Sequence, residues 1–527
     1  MTTPAQTVHG LLQEAVAVRG EFDGAVYPEH RFTYGELLNE ANRASRLLVG
    51  LGLAPGECVG LMLPASLSQV VMLGAMRFGA VPVPLNGRLK AVELEFLVQH
   101  SGMTMLVCDQ PAAATAAGAV EGRDCRLVVI DEELHTETAG DAEEAELAKL
   151  EQAVTGQDPS IILYTSGTSS KPKGVVHTHD TLVGEGRAVA TRLELGPEDR
   201  FWSPLPMFHC GGIVTMLGAM AAGAAFCHIG AFEPTLALDQ LERERCTVAF
   251  PAFETIWLSV LDHPRFGSAD LSNLRTVVNV GIRERLRAMQ ERLPSAIQIS
   301  SFGLTESCGF MCIGLTSDPL EARLTTSGRP LPGNEVRAID PETGEDMPPG
   351  QPGEAVFRGI SRFLRYHRDP DATAAMIDAD GWFRTGDLVR LDEEGRISFQ
   401  GRLKDMLKVG GENVSAAEVE DLLATHPAVK IVQVVGAPDA RYGEVATAFV
   451  ELVPGAQVTE PELVNVCLGV ISTFKVPRYV RFVSEWPMSG TKIQKFRLRE
   501  RIASELRAAG ITEAPRLRSQ PAAATRG

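Results

Sequence analysis

The nine cysteines of this chain, Cys58, Cys108, Cys125, Cys210, Cys227, Cys246, Cys308, Cys312 and Cys467, include no CxxC pair and no zinc-type spacing. That argues against a structural zinc site or a disulfide framework. Reduced, mostly structural thiols in a cytoplasmic protein are the expectation. Basic residues are in deficit, 50 Lys and Arg against 67 Asp and Glu, a net charge of -17. Broad attraction to nucleic acid or to an anionic membrane is therefore not expected, and a polyanionic substrate needs a local site of positive potential. No stretch reaches the roughly 20 apolar residues that cross a bilayer. Gly211 to Gly230 comes closest, but its glycines, His228 and the nearby Pro204 and Pro206 suit buried helix and strand. The first residues, MTTPAQTVHG, lack the basic start and apolar run of a signal peptide. No internal repeat is evident.

What is present is a globular composition, 44% hydrophobic and 22% charged over 527 residues, too long for one ordinary core. Helical patterns such as Tyr34 to Leu51 and Ser66 to Phe78 alternate with short apolar runs such as Cys58 to Leu63, Ala80 to Pro84 and Thr104 to Cys108. The same alternation continues through Arg126 to Ile130, Thr247 to Pro251, Thr276 to Val280 and Ala296 to Ser300. Strands separated by helices predict an α/β fold with doubly wound parallel sheets. The acidic, Ala-rich stretch from Glu132 to Glu151 reads as a surface linker or exposed helix. After about Asp318 alternating strands and turns predict a small β subdomain over about 319–401. Beyond Gly401 the pattern changes to a compact α+β unit. The expected division is a large domain over 1–403, a small mobile domain over 404–512 and a disordered tail over 513–527.

The strongest local signal is Tyr164-Thr-Ser-Gly-Thr-Ser-Ser-Lys-Pro-Lys-Gly174, set between Ile161-Ile162 and Val175-Val176. Glycines and small hydroxyl residues let backbone N–H groups turn towards phosphate oxygens, and Lys171 and Lys173 add positive charge. The order of residues is not that of the Walker loop. Read alone, the segment has a lesser alternative, a flexible hydroxyl-rich surface loop. A second motif, Phe302-Gly-Leu-Thr-Glu306, puts a hydroxyl and a carboxylate at a strand end, suited to a magnesium ion on phosphates or simply to a helix cap. A third, Gly381-Trp-Phe-Arg-Thr-Gly-Asp387 with Gly395-Arg-Ile-Ser-Phe-Gln-Gly-Arg402, offers a carboxylate for ribose hydroxyls and a guanidinium. By itself Thr-Gly-Asp is a turn. Two further segments are the glycine pair in Lys404-Asp-Met-Leu-Lys-Val-Gly410-Gly411, ahead of a helix started by Ser415, and the basic Pro487-Met-Ser-Gly-Thr-Lys492-Ile-Gln-Lys495.

Together, and in this order, these five motifs resemble the adenylate-forming superfamily of acyl- and aryl-CoA synthetases, luciferases and peptide-synthetase adenylation domains. The texture is nearest to bacterial acyl- or aryl-CoA ligases, and the resemblance covers almost the whole chain. It implies an enzyme that activates a carboxylic acid with ATP as its acyl-AMP, releases pyrophosphate and passes the acyl group to coenzyme A. Transfer to a carrier protein or a nitrogen acceptor, or activation of an unusual oxyacid, is the alternative, and a silent nucleotide-binding protein a more distant one. By resemblance, Thr165, Ser166, Gly167, Thr168 and Lys173 hold the nucleotide phosphates, and Phe302 and Gly303 border the adenine. Thr305 touches phosphate, Glu306 holds Mg2+, Asp387 binds the ribose and Arg402 contacts the nucleotide. Lys404 is implied as the hinge, Gly410 and Gly411 as the lining of the thiol tunnel, and Lys492 as the adenylating lysine. A homodimer is a further expectation.

The acyl pocket is placed around Pro206-Met-Phe208-His209, with His209 at its mouth and Phe208, Phe253, Gly281 and Arg283 in its wall. Here the chain departs from the family pattern. Phe302 stands where tyrosine is usual, Thr491 intervenes between Gly490 and Lys492, and the loop Val278-Asn-Val-Gly-Ile-Arg-Glu284 is abbreviated.

Overall fold

The computed structural model describes residues 5–131, 134, 144–165, 172–281, 283–410, 412–468, 470–489 and 492–517; for Lys404, Asn413, Ser489 and Lys492 it describes the backbone alone. Apolar segments too short for helices pair into two parallel sheets. One runs Ile297–Ile299, Thr276–Val280, Val248–Phe253, Arg200–Ser203, Ala225–His228, Asp23–Val26, closed at the edge by the antiparallel Arg31–Thr33. The other has the order Val81–Pro84, Cys58–Met62, Met105–Cys108, Arg126–Val129. Side chains from both sheets and from the helices Val8–Arg19, Tyr34–Gly50, Ala65–Arg77 and Cys210–Ala222 share one large core. The helix Ala65–Arg77 is buried on every face, which explains its nearly unbroken small and apolar sequence. The helix Tyr34–Gly50 begins in a capping box between Thr33 and Glu36, a local device that contributes about 1 kcal/mol.

The acidic stretch after Asp131 becomes the helix Glu144–Ala153, whose Leu147 is buried while Glu144 and Glu151 pair with the buried Arg77; residues 132–133 and 135–143 lie outside the described residues. The expected β subdomain holds an antiparallel sheet, Asn334–Ile339, Pro352–Gly359, Phe383–Leu391, Ile397–Arg402. It is not all-β. The helices Leu320–Thr325 and Pro370–Met376 interrupt it, each started by a proline beside its first turn. A second cluster of buried side chains, drawn from Leu407 to Leu506, forms the small domain's own core. Its sheet, Glu412–Val414, Leu407–Val409, Gly443–Leu452, Val429–Asp439, with Tyr479–Phe482 beside Gly443–Leu452, is covered by the helices Ala416–Ala424, Glu460–Cys467 and Lys495–Ala508. Residues 513–517, expected in the tail, instead lie against this core: Ala514 and Leu517 pack on it, and the Ala514 N–H donates to Asp439 Oδ2 at 2.6 Å. Residues 518–527 lie outside the described residues. Among the described residues no helix is long and apolar enough to cross a membrane.

Candidate active site

A hairpin and a strand from far along the chain make the sheet at the centre of the site. Pro159–Thr165 and Lys173–Thr178 form an antiparallel hairpin, and Arg365–Tyr366 pairs on its other side. Thr165 stands opposite Lys173 at the hairpin's open end. Residues 166–171, with Ser166, Gly167 and Thr168, lie outside the described residues. The Lys173 ammonium sits 4.5 Å from the centroid of the Tyr366 ring, a cation–π contact. The Tyr366 hydroxyl donates to Glu306 Oε1 at 2.8 Å. Burial, then the Glu306 charge, holds this phenol well above the usual tyrosine range, so it stays a donor.

Thr305 and Glu306 open a single 3-10 turn, Thr305–Ser307, after the short strand Ser301–Phe302. The turn is held from outside through its carbonyl groups. Phe363 N–H donates to the Glu306 carbonyl at 2.9 Å, and His177 Nε2 reaches the Thr305 carbonyl at 2.8 Å. A carbonyl only accepts, so His177 donates; burial pushes its pKa down to about 4, which keeps the ring neutral. Gly303 is fixed by lack of room: a Cβ there would lie 2.1 Å from the Gly309 carbonyl oxygen. Among the described residues Glu306 Oε2 receives no hydrogen bond, and the Thr305 hydroxyl is its neighbour. A carboxylate and a hydroxyl are hard oxygen donors and fit magnesium. Among the described residues no cluster of three or more His, Cys, Asp and Glu suited to a metal exists, so phosphate and water oxygens would have to complete the shell.

The Phe302 ring lies 5.4 Å from that of Phe399, with Phe399 43% exposed. Asp387 and Arg402 sit opposite each other on Phe383–Leu391 and Ile397–Arg402, with Arg402 Nε 3.0 Å from Asp387 Oδ1. The structure thus brings Thr165, Lys173, Thr305 and Glu306 together around one sheet, with Asp387 and Arg402 facing one another as a pair.

Beside Thr305 lies the N-terminus of the helix Cys210–Ala222, with Cys210 Sγ 3.9 Å from Thr305 Oγ1. His209 is its exposed N-cap, and its ring centroid is 4.7 Å from that of Phe208. Phe250 and Phe310, 4.6 Å apart, are buried in the core behind it. In Val248–Phe253 a register shift accompanies Ala252, whose φ of +61° is rare for a residue with a side chain, and the strand ends at half-buried Phe253. Gly281 leaves room for Glu254, whose Oε2 would meet a Cβ there at 2.7 Å. Arg283 does not enter this pocket. It lies on the outer side of the helix Arg283–Arg292 and pairs with Glu321 at 2.6 Å. The inward arginine is Arg285, which bonds Glu254 and also the Lys430 carbonyl of the small domain.

Lys404 lies in the 3-10 turn Leu403–Asp405, between the last strand of the large domain and the first of the small one. Gly410 has φ +62°, in the left-handed region that favours glycine, and Gly411 lies outside the described residues. Lys492 opens the two-residue strand Lys492–Ile493, paired with Met488–Ser489; its side chain lies outside the described residues.

Residues missed in the sequence are Tyr366, Phe363, His177, Glu185, Glu254 and Arg285. Most carry no local signal, since Tyr366 meets Glu306 across 60 positions. Glu185 did carry one: it falls on the buried face of the helix His179–Arg192 with Leu182, Val189 and Ala188.

Comparison with known proteins follows the same outline. Residues 12–367 match the AMP-binding enzyme family and residues 418–492 the AMP-binding enzyme C-terminal domain. A putative acyl-CoA synthetase, YngI, of Bacillus subtilis is 33% identical, the match covering 94% of this chain and 97% of the relative. The mitochondrial medium-chain acyl-CoA ligase ACSF2 of Bos taurus is 32% identical over 94% of this chain and 88% of its own length. Among solved structures, ATP-bound MatB from Rhodopseudomonas palustris superposes with a TM-score of 0.83 at 25% identity, over 94% of this chain and 99% of that one. The chain belongs to the AMP-binding enzyme family, an AMP-forming ligase on the same plan as the acyl-CoA synthetases.

Proposed function

We propose that this protein joins an apolar, medium-length monocarboxylic acid to coenzyme A through an acyl-AMP. The observation that carries this is the convergence of Lys173, Tyr366, Thr305 and Glu306 around one sheet. The acid is assigned to the neighbouring segments with Phe208, Phe253 and the end of Thr276–Val280 by the family resemblance. A carboxylate is a poor electrophile because it cannot expel oxide. In the first step the acid's oxygen attacks the α-phosphorus of ATP, the bond to the β-phosphate bridging oxygen breaks, and pyrophosphate leaves. Lys173 faces the phosphates, Asp387 takes the ribose hydroxyls, Arg402 lies beside it, and Phe302 supports the adenine. This is positioning and charge stabilisation, with no protein nucleophile. Glu306, with Thr305 nearby, would hold magnesium, which would supply charge neutralisation on the phosphates.

In the second step the thiol of coenzyme A loses its proton to solvent, its sulfur attacks the carbonyl carbon, and the bond to AMP breaks. Lys492 serves the first step and Gly410 and Gly411 line the thiol path in the second, so the small domain must turn between them about Lys404. The apolar character of the acid is supported by the phenylalanines and by the two nearby arginines being spoken for: Arg283 is paired outside with Glu321, and Arg285 with Glu254. The name of the Bos taurus relative agrees with a medium-length acid. None of the nine cysteines forms a disulfide, which suits a reducing compartment such as the cytoplasm.

The test is pyrophosphate release over straight-chain, aromatic and dicarboxylic acids, with mass detection of adenylate and thioester. Release that peaks for medium apolar acids, with a CoA thioester formed, is expected. A preference for dicarboxylic acids, or an adenylate that only a carrier protein or an amine can discharge, would replace this reading.

A further inference from the structure

Glu185 is fully buried on a helix face whose other residues are apolar or small, and among the described residues it has no cationic partner. A leucine would fill that face without desolvating a carboxyl group, so the acid calls for a reason. It makes two bonds. Oε1 accepts the Phe310 N–H at 3.2 Å and Oε2 accepts the Ser361 hydroxyl. Ser361 is clamped in turn by Asn334, whose Nδ2 donates to its Oγ at 2.7 Å and whose Oδ1 accepts its N–H at 3.1 Å.

Both contacts lead to Glu306. Phe310 ends the loop that leaves the Thr305–Ser307 turn, a loop closed by Cys308 N–H on Thr305 O at 3.0 Å and Gly309 N–H on Leu304 O at 3.1 Å. Ser361 begins the strap that runs through Phe363, bonded to the Glu306 carbonyl, to Tyr366, bonded to the Glu306 carboxylate. One carboxyl therefore pins the two pieces of chain that hold Glu306 from either side.

We propose that Glu185 is a positioning residue for the magnesium-binding role of Glu306, acting through Phe310 and Ser361. The proposal rests on the role given to Glu306 above. In it, the hydrogen bonds of Glu185 set the distance between turn and strap, and thereby the direction in which Glu306 Oε2 points.

The test uses the full chain and calorimetric binding of ATP, once with magnesium and once with EDTA, for wild type, Glu185→Ala, Glu185→Gln and Ser361→Ala. The expected result is that Glu185→Ala and Ser361→Ala each weaken binding about tenfold with magnesium and little with EDTA, the size typical of outer partners of a metal ligand. Glu185→Gln retains wild-type binding, because its amide oxygen accepts from Phe310 and its amide N–H donates to Ser361. Should Glu185→Ala fail to fold, Ser361→Ala decides, since it removes the bond but not the helix side chain. Equal losses with and without magnesium would mean that Glu185 only packs, and overturn the proposal. Variants that bind like a magnesium-dependent wild type would overturn it while leaving the role of Glu306 intact. A wild type that binds ATP equally in magnesium and EDTA would remove that role and this inference together.

Discussion

Asp387 and Arg402 pair across adjacent strands at 3.0 Å, and they live in different surroundings: the carboxylate is 2% exposed, the guanidinium 41%. The buried partner is the one whose loss a ligand will notice. For Asp387→Ala the KM for ATP should rise about 10- to 100-fold, the equivalent of one charge-assisted hydrogen bond of roughly 1.5–3 kcal/mol. Pyrophosphate exchange measures it, and an unchanged KM would remove Asp387 from the nucleotide site.

Lys492→Ala should abolish formation of acyl-AMP and largely spare thioester formation from synthetic acyl-AMP, each half-reaction assayed separately. Equal loss of both would end the division of labour assigned to the small domain.

Gly303→Ala places a methyl group 2.1 Å from the Gly309 carbonyl, against backbone that has no rotamer to yield. A stability loss of about 1–3 kcal/mol and a larger fall in adenylation are expected. Thermal melting beside the activity assay checks both, and a variant with wild-type melting would show that the loop moves aside freely.

Much of the fold was legible. The strand and helix alternation from Tyr34 to Ser300 follows from apolar runs too short to be helices, and the turn at Thr305–Glu306 sat where its motif placed it. What escaped was contact across the chain. Tyr366 reads as an ordinary loop tyrosine until Arg365–Tyr366 is seen to pair with Lys173–Thr178. Arg283 and Arg285 are indistinguishable in a string of residues, and only the helix Arg283–Arg292 sends one to Glu321 and the other to Glu254. Composition reads residues 513–517 as tail, but the Ala514 N–H and the Pro515 carbonyl are hydrogen-bonded and Ala514 and Leu517 pack on the small domain's core.

Cys210 is one of two cysteines not fully buried, the other being Cys125, and it lies next to Thr305. N-ethylmaleimide should inactivate the protein, ATP with the acid substrate should slow that inactivation, and Cys210→Ala should resist it. Inactivation of Cys210→Ala at the wild-type rate would move the sensitive thiol elsewhere.

Burial raises the Glu185 pKa from an ordinary 4.5 to about 8. Between those values the folded chain keeps a proton that the unfolded chain releases. Stability from this group is full below about pH 4.5 and falls as pH climbs towards 8, by at most about 1.4 kcal/mol per unit. Glu185→Gln has no proton to lose. Its melting temperature should gain on that of the wild type from pH 5 to pH 8 and stop gaining above. A constant difference over that range would show that the carboxyl is ionised throughout.

The sheet formed by Pro159–Thr165, Lys173–Thr178 and Arg365–Tyr366 also has a history in time. On the ribosome the hairpin emerges first and then waits for its third strand, about 190 residues later, or on the order of 10–40 s at ordinary rates of synthesis. Until then Tyr366 and Phe363 are not there to hold Glu306.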